Sequence, residues 1–190
     1  YARINTVNKK MLEKMKKAGI NWLCYGIESG SQKVRTGVDK LGFGQDLIGS
    51  VMKMTQDAGI YILGNFIFGL PDDDLETMQE TFNLAKKINC EYINFYMAMA
   101  YPGSRLYEEA VKKGLNLPNS WLGYAQLNSE TLPLPTKYIS GQDVLMFRDK
   151  AFKEYYERPE YLKMIKEKFG QEEISHIKEM LKYKIKRNYA

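Results

Sequence analysis

The stretch LCYGIESGSQ, residues 23–32, is an apolar run that ends in Glu28 and then in small polar residues. An ionised carboxylate offers two acceptor oxygens at fixed spacing, which suits the two vicinal hydroxyls of a ribose. The competing use is structural: Glu28 pairs with a lysine or caps the turn, because a buried acid without a partner is costly. Position alone leaves the two readings level. In YILGNFIFGLPDDD, Asn65 is a polar residue inside an apolar run and is expected either to point into a barrel lumen or to satisfy a backbone group. Gly69 lets the backbone approach a flat ligand or a neighbouring helix, and Pro71 is expected to open the next helix. In AYPGS, the proline and glycine follow from turn geometry, and Tyr101 is suited to packing or to stacking on an aromatic ligand. His176 is the only histidine and has no evident partner, so no Ser/His or Cys/His constellation supports hydrolase chemistry. Cys24 and Cys90 lack metal-ligand spacing and indicate no disulfide framework.

These residues need elements to position them, and the hydrophobic pattern supplies a repeating set. Asn8 is placed to cap a helix over 9–18, with Gly19 as its stop, and a strand follows in NWLCYGIES. A second helix over 45–58 ends at Gly59 and leads into the strand YILGNFIFGLP, so Ala18-Gly19-Ile20 and Ala58-Gly59-Ile60 hold equivalent places. A third helix carries Leu75, Met78, Phe82, Ala85 and Ile88 on one face, with acids in its first turn and Lys86 and Lys87 in its last, matching the helix dipole. The strand EYINFYMAMA and a helix over 105–113, stopped by Gly114, complete the series. The strands read as near-continuous apolar runs, as expected when both faces of a parallel sheet are covered. Strand and helix in alternation imply right-handed crossovers, in an open doubly wound sheet or in part of a (β/α) barrel. Functional groups in either fold lie at the carboxyl ends of strands, here 26–29, 65–72 and 97–104. Residues 115–140 read as an irregular extension, and 141–157 and 160–187 as helices divided near Pro159 and Gly170.

Bulk properties exclude several classes. The 190 residues are 44% hydrophobic, ordinary for a globular chain. The net charge of +5 is uneven: residues 1–159 hold 20 Lys and Arg against 18 Asp and Glu, and residues 160–190 hold 8 against 5. A near-neutral body carries no broad nucleic-acid footprint. Lys178, Lys182 and Lys186 recur at helical spacing, as a solvated helix surface or as a phosphate-binding face. With no signal peptide and no long apolar run, the expected location is the cytoplasm, without membrane contact. The sequence opens mid-pattern without Met, which leads to the expectation of a piece of a longer protein.

ARINTV, GIESGSQ, the basic residue in VDK, FIFGLPDD and YPGSRLYEEA occur in an order that resembles the second half of a radical SAM domain. The likeness is to the cobalamin-associated branch, related to magnesium-protoporphyrin ester cyclases and methylthiotransferases. It covers residues 1–114 well and 140–162 more loosely. The resemblance implies an α/β fold: a partial (β/α) TIM-type barrel with parallel strands over 1–114, an irregular extension over 115–140 and a helical tail over 141–190. It implies that Glu28 contacts the ribose or methionine part of S-adenosylmethionine, with Ser29 beside it. Lys40 falls where relatives reach the methionyl carboxylate, and Asn65 near the ribose. The turn from Ile67 to Asp72, which includes Gly69, passes the adenine, and Arg3, at the end of a preceding strand, faces the cofactor.

The same family holds a [4Fe–4S] cluster with a CxxxCxxC loop, and no such run occurs in these 190 residues. Two separated cysteines cannot replace it, since such clusters need several converging thiolates. No catalytic or metal-ligating residue is therefore assigned, and this chain alone is expected to be inactive. The implied partners are a preceding half of the same protein, a small-molecule or RNA substrate, and a second copy paired along an exposed strand edge. Cobalamin would bind through a separate N-terminal domain. A stand-alone (β/α) module that binds a nucleotide or partner without redox chemistry is the alternative.

Overall fold

The structure, a computed structural model, describes residues 1–37 and 44–189. The helices are α1 (Lys9–Lys17), α2 (Gln32–Gly37), α3 (Gln45–Asp57), α4 (Leu75–Ile88), α5 (Arg105–Lys112), α6 (Trp121–Tyr124), α7 (Gly141–Glu157), α8 (Pro159–Phe169) and α9 (Gln171–Met180). Strands β1 (Trp22–Glu28), β2 (Tyr61–Phe68) and β3 (Tyr92–Met97) form a parallel sheet in the order β1-β2-β3. The fold is thus α/β with a partial barrel of parallel strands and a helical extension. The chain divides into two compact units, one of Tyr1–Phe66 with Glu76–Phe95, the other of Ile67–Leu75 with Tyr96–Ala190.

In the first unit, the repeated Ala-Gly-Ile segments close α1 and α3 in the same way. Gly19 and Gly59 have φ of 86° and 73°. Their N–H groups donate to Lys16 and Gln56, and the next residues, Ile20 and Ile60, donate to Met15 and Thr55. This pair of bonds satisfies carbonyls that a helix end leaves open, and it needs a left-handed residue. Asn8 caps α1 by accepting from the Met11 N–H at 3.0 Å.

Burial alternates along the strands, so the expectation of two covered faces does not hold. Tyr25, Ile27, Ile62, Phe66, Ile93 and Phe95 are fully buried. Tyr25 shares a 2.8 Å hydrogen bond with Thr55 of α3, and Phe95 packs edge-on to Phe82 of α4. The opposite face, with Cys24, Gly26, Glu28, Leu63, Asn65 and Asn94, is only half-buried. Its polar side chains sit within apolar runs and are tolerated because that face is not sealed.

The turn after β1 is pinned to α4. Thr81 Oγ1 accepts the Gly30 N–H at 2.8 Å and shares a 3.0 Å bond with Ser29 Oγ. A Cβ on Gly30 would lie 2.6 Å from the Glu80 carbonyl oxygen and 2.8 Å from Thr81 Cα. Helix α2, which the periodicity does not disclose, buries Arg35. Its guanidinium donates to the Ser29 carbonyl; burial pushes its pKa down, and the charge of Glu80 works against that shift.

The second unit corrects three expectations. Pro71 does not open α4: Asp73 closes a turn, its carboxylate accepting the Leu70 N–H at 2.9 Å while its own N–H donates to Leu70 O at 2.8 Å, and the helix starts at Leu75. Residues 115–140 contain α6. The last helix ends at Met180, so Lys178, Lys182 and Lys186 do not share one helical face, and Lys182 pairs with Glu179 at 2.6 Å. Arg187 lies beyond the helix and is buried. Its Nε and Nη2 grip Asp149 of α7 at 2.8 and 2.9 Å, and its Nη1 donates to Asn128 O and Thr131 Oγ1. Burial alone would raise the Asp149 pKa, but hydrogen bonds from Arg187 and Arg148 hold it below the usual carboxylate range.

Gly30→Ala is expected to lower the urea midpoint, with an overpacking cost of about 1–3 kcal/mol. Gly49→Ala, on the exposed side of α3 with nothing within 4 Å, should raise the midpoint through a stability gain of about 0.5–1 kcal/mol. For the Asp149 pair, a depressed carboxylate pKa contributes stability above its unfolded value near ~3.9 and loses it as pH falls through the folded value. Arg187→Met should therefore be clearly less stable than wild type at neutral pH. The gap in urea midpoint should narrow in strong acid to what the Arg187 bonds to Asn128 and Thr131 contribute, and a gap independent of pH would show that the pair does not hold this unit.

Candidate functional site

The sequence places a glutamate where β1 ends, and the backbone there departs from strand geometry. Gly26 stands opposite Asn65 and Glu28 opposite Phe66, so β1 spends two residues where β2 spends one. This bulge leaves Glu28 with a φ of 67°. A left-handed conformation costs an L-residue about 1–2 kcal/mol, and bulges recur where a side chain is re-aimed. The re-aimed carboxylate folds back along the strand. Its Oε1 occupies space 2.7 Å from where a Cβ on Gly26 would lie. Gly26 is therefore the residue that makes room for the carboxylate.

Asn65 stands level with Gly26 on β2. Its Nδ2 donates to Cys24 Sγ at 2.9 Å, and its Oδ1 accepts from Asn94 Nδ2 at 3.0 Å. Glu28, Asn65, Cys24 and Asn94 thus share the half-buried face of the sheet in the first unit. Burial pushes the Cys24 thiol pKa up; the Asn65 hydrogen bond opposes this shift, and the negative charge of Glu28 adds to it. At neutral pH Cys24 is a thiol.

The other expected site residues are distributed as follows. Arg3 is exposed and precedes a short 3₁₀ turn, Ile4–Thr6, rather than ending a strand; an isolated bridge from Ala2 to Tyr25 joins this segment to β1. Ser29 is buried with its hydroxyl on Thr81, so its side chain belongs to the turn's anchor. Lys40 lies outside the described residues. Ile67 and Gly69 fall in the second unit, where Ile67 is half-buried. Gly69 has a φ of 77°, and a Cβ there would be 2.6 Å from Val144 Cγ1 of α7. Of the two uses open to Gly69, the structure shows the close approach of a helix.

Gly26 and Asn94 were not singled out from the sequence, and Cys24 was weighed there only as a metal ligand or disulfide partner. The signal for Asn94 was available, since it is the only polar side chain in YINFYM, as Asn65 is in YILGNFIF. Gly26 carried no comparable signal, because its role depends on the backbone of Glu28.

The donors and acceptors present fit one part of the expected cofactor set. A carboxylate and an amide on a half-buried face suit the hydroxyls of a nucleoside. A cluster does not fit: among the described residues, no group of three or more His, Cys, Asp or Glu could hold a metal ion. Cys24 is tied to Asn65, and Cys90 is buried.

No protein-family profile matches the chain. It is 33% identical over 161 residues to an uncharacterized methyltransferase of Pyrococcus horikoshii, covering 85% of this chain and 34% of that protein. It is 23% identical over 169 residues to the cytidylyl-2-hydroxyethylphosphonate methyltransferase of Streptomyces wedmorensis, covering 77% of this chain and 30% of that protein. The chain therefore spans about a third of the length of these curated relatives. Among solved structures, it shares its fold with TsrM, a radical S-adenosylmethionine methyltransferase of Kitasatospora setae solved with cobalamin and a [4Fe–4S] cluster. The TM-score is 0.54 at 14% identity, over 63% of this chain and 22% of TsrM. The chain is thus similar in fold to a radical SAM methyltransferase and in sequence to two methyltransferases, in line with the resemblance its ordered motifs carry.

Proposed function

We propose that this chain forms part of the S-adenosylmethionine site of a radical SAM enzyme of the methyltransferase type. The observation that carries the reading is Glu28. A charged residue is held at a positive φ, above a glycine that makes room for its carboxylate, at the carboxyl end of a parallel strand. Backbone strain of this kind persists only where surrounding contacts over-determine it, and it clusters at ligand sites. That both sequence relatives reported above are methyltransferases supports the reaction class.

In this role, Glu28 accepts the two ribose hydroxyls, and Asn65 adds an amide donor and acceptor from the next strand. The half-buried face limits water around these contacts, which strengthens them relative to an exposed carboxylate. S-adenosylmethionine, when bound at an iron–sulfur cluster, supplies the radical and methyl-group chemistry; the protein binds and orients it. The cysteine ligands of that cluster come from outside this chain.

Equilibrium binding of S-adenosylmethionine to the intact polypeptide tests this reading. Glu28→Gln keeps the side chain's shape but removes its charge, and a charge-assisted hydrogen bond is worth about 1.5–3 kcal/mol, so affinity should fall roughly tenfold or more. Gly26→Ala should produce a similar loss without touching the ligand, because the new methyl displaces the flexible end of Glu28 rather than backbone. Its urea midpoint should stay close to that of wild type. Unchanged affinity in both variants would exclude Glu28 from the site.

A further inference from the structure

On the half-buried face of the first unit, three polar side chains from three strands form one hydrogen-bonded row. Asn94 of β3 donates to Asn65 of β2 at 3.0 Å, and Asn65 donates to Cys24 of β1 at 2.9 Å. A side-chain amide carries its acceptor and its donor on opposite arms, so engaging the oxygen on one side commits the nitrogen to the other. Whatever holds the Asn65 oxygen therefore decides where its N–H groups face. In this fold that group is the amide nitrogen of Asn94.

We infer that Asn94 is a positioning residue: by donating to Asn65 Oδ1, it turns the Asn65 amide nitrogen toward β1 and leaves one N–H and one oxygen lone pair of Asn65 for a hydroxyl-bearing ligand. The orientation stands on the hydrogen bonds alone, whereas the ligand it serves rests on the function proposed above. An ionised aspartate at position 94 accepts hydrogen bonds and cannot donate them. Asn94→Asp should then reverse the row, drawing Asn65 Nδ2 to the new carboxylate and presenting Asn65 Oδ1 to the Cys24 sulfur. The sulfur loses one of two side-chain donors that favour its thiolate, Tyr1 being the other, and the thiolate is the form that reacts with alkylating agents.

The experiment is iodoacetamide alkylation of the chain at one fixed pH, resolved by peptide mass spectrometry, with buried Cys90 as the internal reference. Asn94→Asp is expected to slow Cys24 alkylation about tenfold, roughly one unit of thiol pKa. A new negative charge also slows it directly, so the change is repeated with Asn65→Leu, where no amide remains to reverse. There the slowing should shrink to about threefold or less, and the difference between backgrounds measures the orientation. Equal slowing in both backgrounds would overturn the proposal.

Should Asn94→Asp fail to fold, Cys24→Ala provides an independent readout. Removing the sulfur acceptor should shift an Asn65 side-chain amide proton in the NMR spectrum, and an unmoved pair of protons would overturn the proposal equally. Neither readout contains S-adenosylmethionine. A wild-type polypeptide that fails to bind it would sink the proposed function and leave the orientation standing. Slowed alkylation with S-adenosylmethionine affinity unchanged in Asn94→Asp would instead overturn the ligand half of the inference.

Discussion

Holding Glu28 at a positive φ is the constraint around which this part of the molecule is arranged. The conformation costs about 1–2 kcal/mol in isolation, and a glycine at this position would relieve it. Three features keep it in place: the extra residue in β1, the space that Gly26 leaves to the carboxylate, and the anchoring of Ser29 and Gly30 on Thr81. Each is a device at backbone level, and together they send one carboxylate back over the strand.

The alternation of burial explains why this carboxylate has polar neighbours. The face packed on α3 and α4 contains aromatic and branched residues, with the Tyr25 hydroxyl satisfied by Thr55. On the other face, the strands carry Cys24, Asn65 and Asn94 among apolar residues, and these hydrogen-bond to one another across the sheet. A row of this kind is stable on a half-buried face and would be costly unpaired in a sealed core. The geometry thus offers a ligand several directed donors and acceptors on a low-polarity surface.

Much of the fold was legible because its signals are local. Asn8, Gly19, Gly59 and Gly114 mark helix ends by their own conformational preferences, and the apolar runs mark the three strands. What could not be read depends on contacts distant in sequence or on backbone geometry. Pro71 looked like a helix start because Asp73, which closes the turn instead, reads as one acid among three. Arg187 read as the last residue of a helix over 160–187, yet its side chain is buried on Asp149, 38 positions earlier. For the site, the register of motifs pointed to Glu28 and Asn65, which the structure brings to one face; the service of Gly26 and Asn94 to them became visible only in three dimensions.

The central claim is that Glu28 is placed for a ligand at the expense of the fold, and the unfolding free energy of Glu28→Gly tests it most directly. If the glutamate is strained for function, glycine relieves a left-handed residue by more than the contacts of the lost carboxylate contribute, so the urea midpoint should equal or exceed that of wild type. S-adenosylmethionine binding should be lost in the same variant. A midpoint lowered by about 1 kcal/mol or more, with affinity retained, would contradict the account and make Glu28 a structural residue.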